Sequence, residues 1–176
     1  QVQEHREGES RLISLQRVGA ALVSDLDLDR SLQLIADEAR KIIDADGVVI
    51  RMADDDGDLT FVTGSGIERL FMRETPLPSH QSLSGEALRT GKPKCVDDIR
   101  VDPRANPQYL NISEGRSLLI VPLISRHRAV GVITGVSTTV AAFSDRDISM
   151  LSLFADQAAS AIENARLYQQ AKQQID

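Results

Sequence analysis

Apolar residues at helical spacing predict two helices near the beginning of the chain. The first is expected to begin near Ser10 and to end where the acidic stretch "DLDLD" interrupts the pattern. Its apolar stripe consists of Leu12, Leu15, Gly19, Leu22 and Leu26. The second helix follows with Asp27 or Asp29 as the expected N-cap. Its stripe consists of Leu32, Ile35, Ala36, Ala39, Ile42 and Ile43.

The pattern then changes to short β-branched runs, which are typical of strands. "GVVIRMADDDGDLTFVTGSG" reads as a hairpin with its turn at Asp56 and Gly57. The chain from Gly66 to Arg116 is irregular, with a short helix predicted in "SLSGEALRTG" and a short strand in "KCVDDI". "SLLIVPLIS" and "AVGVITGVST", separated by about "RHR", are predicted to be antiparallel neighbours.

A last helix is predicted from the N-cap Ser144, and its apolar face is wide. The main stripe comprises Ile148, Leu151, Ala155, Ala158, Ile162 and Ala165, and Met150, Phe154, Ala161 and Tyr168 widen it. The resulting arc of roughly 140° exceeds the roughly 100° that an ordinary surface helix needs. The polar face holds Ser152, Asp156, Glu163, Arg166 and Gln170, which are expected to be solvated.

The wide face needs another helix, supplied by the N-terminal helix of the same chain or by a second copy. We expect a homodimer through the terminal helices, in which small alanines allow close approach. The expected contact residues are Leu15, Leu22, Leu151, Ala158, Ile162 and Ala165, with Ile162 near the centre.

The order of elements predicts an α+β fold, an antiparallel sheet with helices packed on it. Pro122 cannot donate a ladder hydrogen bond, so it is expected at an edge or a bulge. Gly131 and Gly135 lie on one face of a strand, where a helix or a ligand could approach closely, and packing is the favoured interpretation.

Two stretches resemble the GAF domain of bacterial signalling proteins. They are "SLSGEALRTGKPKCVDDIRVDPR" and "RSLLIVPLISRHRAVGVITGVSTTVAAFSDRDISMLSLFADQAASAIENARLY". The resemblance covers roughly Leu26 to Tyr168. It implies a six-stranded antiparallel sheet, with terminal helices on one face and a pocket roofed by loops and short helices on the other. It divides the chain into an N-terminal linker and dimerisation helix (1–25), the GAF domain (26–168) and the start of a signalling helix (169–176).

The resemblance also implies a small ligand pocket near Asp98, Tyr109, Ser117 and Thr134. Cyclic GMP is disfavoured as its ligand, because Phe143 and Asp147 fit the end of the cyclic-nucleotide signature but Ile148 stands where that signature has Glu.

Composition narrows the chemistry. The chain has 176 residues and a net charge of −6 without a basic run, which argues against nucleic acid and anionic membrane as partners. No apolar run reaches the roughly 18 residues of a membrane span, and the polar N-terminus is unlike a signal peptide. We therefore expect a cytoplasmic domain. The single cysteine, Cys95, excludes an internal disulfide or a multi-cysteine zinc site.

No catalytic or metal motif is recognisable. Members of the family that the chain resembles include bilin photosensors and free methionine sulfoxide reductases. Cys95 lacks an adjacent histidine for a bilin and a resolving cysteine for the reductase, so we expect it to be a packing residue. His127 is expected in a solvated turn, His80 is a weak haem ligand candidate, and "ADDDGD" reads as a polar turn rather than a calcium loop.

These observations predict a sensory or regulatory module that uses no cofactor and is not an enzyme. A small molecule or a partner would act through dimeric helices on an output domain in the same chain, such as a histidine kinase or a nucleotide cyclase. The alternatives are a dimerisation scaffold with no ligand and a free methionine sulfoxide reductase-like enzyme.

Overall fold

The computed structural model describes residues 25–66, 82–104 and 115–175. In these ranges the helices are α1 (Asp25–Ile42), α2 (Leu83–Thr90) and α3 (Asp145–Ile175). The strands are β1 (Gly47–Ala53), β2 (Leu59–Gly66), β3 (Lys94–Val96), β4 (Ser117–Ser125) and β5 (Arg128–Ser137). The predicted helix before "DLDLD", with Leu15 and Leu22, lies outside the described residues.

The prediction that "DLDLD" lies outside a helix is wrong. These residues form the first described turn and a half of α1, so neither Asp27 nor Asp29 is an N-cap. Leu28 and Leu32 lie one turn apart and both pack in the core, whereas Asp29 is exposed. Aspartate lowers helix propensity by less than about 1 kcal/mol, and burial of the leucines outweighs that cost.

The five described strands form one antiparallel sheet in the order β2-β1-β5-β4-β3. The sixth strand that the resemblance implies is not confirmed among the described residues. Both predicted hairpins are present, since β1 pairs with β2 and β4 pairs with β5. The sheet therefore contains two hairpins of neighbouring strands, and the β1–β5 pairing joins these hairpins into one sheet.

The two hairpin turns differ in how they are stabilised. In the β1–β2 turn, Asp54 Oδ1 accepts from the backbone N–H groups of Asp56 and Asp58, both at 2.9 Å, and Gly57 supplies a φ of 84°. The β4–β5 turn consists of Arg126 and His127, with φ of 51° and 66°. His127 is exposed there, as the sequence predicts.

Capping residues define the ends of α2 and the start of α3. Ser82 Oγ accepts from Gly85 N at 3.0 Å to begin α2, and Gly91 ends this helix with a φ of 67°. At the start of α3, Asp147 Oδ2 accepts from Ser144 N at 2.8 Å, and Ser144 Oγ accepts from Asp147 N at 3.4 Å. This reciprocal box confirms Ser144 as the N-cap.

Strand details agree with the expectations for proline and glycine. β3 faces only Leu118 to Ile120 of β4, so Pro122 lies beyond the end of β3 and next to the register shift after Leu123. A Cβ added to Gly135 would lie 2.8 Å from Ile43 Cδ1. Packing against the end of α1 therefore accounts for Gly135.

Candidate functional site

The sheet separates two apolar clusters, and consecutive residues of its central strands belong to opposite faces. On the helix face, α1 and α3 pack on residues such as Leu119, Val121 and Ile133. On the loop face, α2 packs on residues such as Leu118 and Ile120. The loop face is where the resemblance to GAF domains implies a ligand pocket.

Thr134 lies on the loop face at the centre of the sheet. It pairs across the strands with Val49 and Ile120, and directly opposed residues point to the same face. Thr134 is 5% exposed, and its hydroxyl makes no hydrogen bond with any residue of the described ranges. A hydroxyl on this face without a partner in the described ranges is a candidate hydrogen-bond contact for a ligand.

Ser117 does not lie beside Thr134. It shares the face of Leu119 and Val121, the helix face, and its hydroxyl donates to Thr139 O at 2.7 Å. The prediction that Ser117 lines the loop-face pocket is therefore corrected, because strand alternation places it on the other side of the sheet. Tyr109 lies outside the described residues.

Asp98 follows β3 and is engaged by Arg116. Arg116 Nε donates to Asp98 Oδ1 at 3.2 Å and Nη2 donates to Oδ2 at 2.8 Å. Asp98 Oδ1 also accepts from Arg100 N at 3.1 Å. The hydrogen bonds from the Arg116 side chain and the Arg100 backbone lower the pKa of Asp98. Asp98 thus ties β3 to the start of β4.

Cys95 lies on β3 as an exposed free cysteine. Partial burial of the sulfur atom raises the pKa of the Cys95 thiol, and the charges of Asp97, Asp145 and Asp147 raise it further. A raised pKa leaves less thiolate at neutral pH, which is the opposite of an activated nucleophile. The expectation that Cys95 is a buried or half-buried packing residue is wrong, because the residue is exposed.

Sequence reasoning missed the burial of Arg51. Arg51 pairs with Val132 on the loop face, is 2% exposed, and its Nη1 donates to Leu59 O at 3.0 Å. The only signal was a charged residue within the otherwise apolar run "GVVIRMA".

Glu163 is also buried, although the sequence places it on a solvated face. Arg166 Nη2 donates to Glu163 Oε1 at 2.6 Å and Arg166 Nε donates to Oε2 at 3.2 Å. Arg126 Nη1, from the β4–β5 turn, lies 3.9 Å from Oε1. These interactions, led by the hydrogen bonds from Arg166, lower the pKa of Glu163. The carboxylate joins the last helix to the turn, a long-range contact that helical periodicity cannot reveal.

Three of the predicted dimer residues are buried inside one chain. Leu151, Ala158 and Ile162 are 0%, 0% and 5% exposed and belong to the core between the sheet and α1. They are therefore not available to a second copy, because α1 and the sheet of the same chain cover this part of the apolar face of α3. Ala165 is only partly buried and Tyr168 is 42% exposed.

Neither a cluster of metal ligands nor a membrane span is present in the described part of the chain. It contains no group of three or more side chains arranged to hold a metal ion. No helix in residues 25–66, 82–104 and 115–175 has both the length and the apolar character for a membrane span.

A family model described as a GAF domain matches residues 25–163. Among solved structures, the GAF domain of a phosphoenolpyruvate-protein phosphotransferase from Acinetobacter is similar with a TM-score of 0.78 and 19% identity, covering 90% of this chain and 93% of that one. The free methionine-R-sulfoxide reductase of Neisseria meningitidis, solved with its substrate, is similar with a TM-score of 0.76 and 22% identity, covering 92% and 90%. Residues 122 to 287 of a methyl-accepting chemotaxis protein give a TM-score of 0.71 and 26% identity, covering 88% and 97%.

Proposed function

Because the chain belongs to the GAF domain family, we propose that it is a non-catalytic regulatory module that senses a small molecule or a partner at the loop face of its sheet. In this proposal the GAF domain spans 26–168, and residues 1–25 and 169–176 belong to helices that enter and leave it. The helices carry the response to an output domain in the same chain, such as a histidine kinase. A cytoplasmic location belongs to the same proposal.

The observation that carries the proposal is that the two faces of β4 pack against different helices. Leu118 and Ile120 pack under α2 on the loop face, whereas Leu119 and Val121 pack under α3 on the helix face. A ligand that displaces the loop-face side chains therefore shifts the same strand against α3. Close-packed interiors transmit such shifts, because no voids absorb them.

The length of α3 supports an output role. Its last residue in the core is Ile162, and the helix continues to Ile175. A helix that continues beyond its core contacts can pass a displacement of its core segment to an adjoining domain.

A homodimer is also part of the proposal. Its contact is placed on the exposed part of α3 rather than around Ile162, where the sequence predicts its centre. Tyr168 and Ala165 lie three residues apart, on one side of the helix after the core contacts end. We place the contact between copies there, because Tyr168 is a large, amphipathic and exposed side chain at the point where the helix leaves the sheet.

Thr134 provides the test of the loop-face site. A ligand is first identified by a thermal-shift screen of small metabolites, because a ligand that binds only the folded state raises Tm. Thr134→Val preserves the shape of the side chain and removes the hydroxyl. We expect the variant to bind the ligand up to about tenfold more weakly than the wild type. Its free energy of unfolding should be unchanged or slightly higher.

Ser117→Ala is the matched control. It removes a hydroxyl that donates to Thr139 O on the opposite face, so it should lower the unfolding free energy by about 1 kcal/mol and leave ligand affinity unchanged. Equal ligand affinity in Thr134→Val and the wild type would remove the loop-face site. Hydrogen exchange in α3 that does not respond to the ligand would remove the output role.

The reductase-like alternative has its own test. The similarity to the Neisseria meningitidis reductase concerns the fold, and the raised pKa of Cys95 disfavours a thiolate mechanism. We expect no reduction of free methionine sulfoxide by the chain with a thiol reductant, and Cys95→Ser should fold normally. Turnover by the wild type that is lost in Cys95→Ser would place the enzyme first. A chain that dimerises but yields no ligand in the screen would favour the scaffold.

A further inference from the structure

A surface depression lies at the end of the sheet where the two hairpin turns adjoin. Antiparallel pairing of β1 with β5 brings Met52 opposite Gly131, so the β1–β2 turn lies beside the β4–β5 turn. The depression has a volume of about 300 Å³ and is lined by both turns and by α3. This volume is at the lower end of the roughly 300–1,000 Å³ range of small-molecule sites.

The lining of this depression, which we call the turn pocket, has an apolar part. Met52 and Val130 are partly buried at its base, and Ile162 of α3 closes it from the helix side. All three side chains belong to or pack against the helix-face core. The turn pocket therefore offers a short aliphatic group a place to be removed from water.

The acidic residues of the β1–β2 turn and the basic residues beside the β4–β5 turn line the turn pocket without pairing with one another. Arg128 and Asp55 are exposed, and neither side chain makes an ion pair or a hydrogen bond with a residue that the structure describes. The Arg126 side chain is 69% exposed, and among the described residues its ion-pair partner is Glu163, at 3.9 Å. Asp54 uses Oδ1 for two backbone N–H groups of its own turn, and Oδ2 makes no hydrogen bond within the described ranges. Donors on one turn and acceptors on the other thus remain available to a third molecule.

Glu163 does not oppose an incoming anion as a lone carboxylate would. Arg166 donates to both of its oxygens, at 2.6 and 3.2 Å, so its charge is largely compensated before Arg126 and Arg128 are counted. The basic turn therefore keeps two guanidinium groups that can bind a carboxylate by charge-assisted hydrogen bonds.

We propose that the turn pocket binds a small zwitterion, namely an α-amino acid with a short apolar side chain. Its carboxylate contacts Arg126 and Arg128, its ammonium group contacts Asp54 and Asp55, and its side chain lies on the apolar base. This site is separate from the loop face around Thr134 and does not depend on it. Because Ile162 and Glu163 of α3 line the pocket, occupancy acts on the last helix without passing through the sheet.

The experiment is a ¹H–¹⁵N NMR titration of the whole chain with L-valine, L-leucine and L-methionine at millimolar concentration. We expect at least one of them to give saturable shifts in three segments: 52–55, 126–130 and 162–166. For L-valine the single-charge analogues are 3-methylbutanoate, which lacks the ammonium group, and isobutylamine, which lacks the carboxylate. Each should bind at least about tenfold more weakly, since each loses charge-assisted contacts.

Arg128→Gln and Asp55→Asn test the two sides of the turn pocket separately. Each variant should weaken amino-acid binding by about tenfold with an unchanged fold, because both side chains are exposed and unpaired within the described ranges. Arg100→Gln is the control for Arg128→Gln, because it removes the same charge from an exposed arginine beyond β3. This variant should bind the amino acid like the wild type.

Three results would overturn the proposal. One is the absence of saturable shifts with all three amino acids. Another is equally tight binding of the single-charge analogues, which would mean that the opposed charges do not select a zwitterion. The third is saturable shifts confined to residues around Thr134, which would support the loop-face site and exclude the turn pocket.

Discussion

At the scale of single residues, burial and pairing separate side chains that look alike in the sequence. Asp98 and Asp156 are both acidic residues whose immediate neighbours in the sequence are one polar and one apolar residue. Asp98 accepts two hydrogen bonds from Arg116, whereas Asp156 is exposed and makes no ion pair within the described ranges. Asp98 is therefore expected to link stability to pH.

The Asp98–Arg116 pair predicts a specific acid limb. Its hydrogen bonds lower the pKa of Asp98 in the folded state. The resulting stabilisation is present above the unfolded-state pKa of about 3.9 and is lost as the pH falls through the folded-state value. We expect Asp98→Asn to be less stable than the wild type at neutral pH and to lose less stability between about pH 5 and about pH 3. Urea unfolding across this pH range measures both effects.

Asp156→Asn is the control for this prediction. It removes the same charge from an exposed position on α3 and should leave the acid limb unchanged. An Asp98→Asn variant whose stability falls as steeply as that of the wild type would show that Arg116 does not stabilise the carboxylate in solution.

At the scale of elements, two glycines of β5 make different contacts. A Cβ added at Gly131 would lie 2.2 Å from the backbone oxygen of Arg51, whereas one at Gly135 would lie 2.8 Å from Ile43 Cδ1. A backbone oxygen held in a sheet cannot move aside without disturbing the ladder. The end of an isoleucine side chain can rotate or shift.

We therefore predict that Gly131→Ala costs about 3 kcal/mol or more and Gly135→Ala about 1 kcal/mol of unfolding free energy. Equilibrium urea unfolding monitored by circular dichroism measures the two values. The reverse order would mean that the β1–β5 spacing adapts more readily than the contact between β5 and the end of α1.

At the scale of the whole molecule, α3 divides into a core segment and an exposed segment. Ile162 is 5% exposed within one chain, and Tyr168, less than two turns later, is 42% exposed. The first residue supports the monomer, and the second is the one that we place at the contact between copies.

Glutamate substitutions at these two positions should therefore act differently. Ile162→Glu buries a charge in the core and should lower the unfolding free energy by about 3 kcal/mol or more. Tyr168→Glu should change it by less than about 0.5 kcal/mol and should convert the proposed dimer to a monomer. Circular dichroism melts and sedimentation velocity distinguish the two effects.

Gln170→Glu is the matched control, because it adds a charge at an exposed position on another side of α3 and should leave a dimer intact. A monomeric wild type, or a Tyr168→Glu variant that sediments as the wild-type dimer, would contradict the proposed contact.

Local sequence signals determined much of the fold. Both hairpins, the short helix of Leu83–Thr90 and the Ser144 N-cap all lie where sequence patterns predict them. Each depends on contacts between residues near in sequence, such as a turn glycine or a capping hydroxyl. The α+β class followed from the order of these elements.

Tertiary contacts decided the rest, because they join residues that are distant in sequence. Leu28 and Leu32 keep "DLDLD" helical by packing in the core, and α1 covers the face of α3 for which the sequence predicts a second copy. Strand alternation separates Ser117 from Thr134 by the thickness of the sheet, so only one of them faces the predicted ligand. The arrangement of the turn pocket likewise arises from the β1–β5 pairing, which brings an acidic turn and a basic turn together across more than seventy residues of chain.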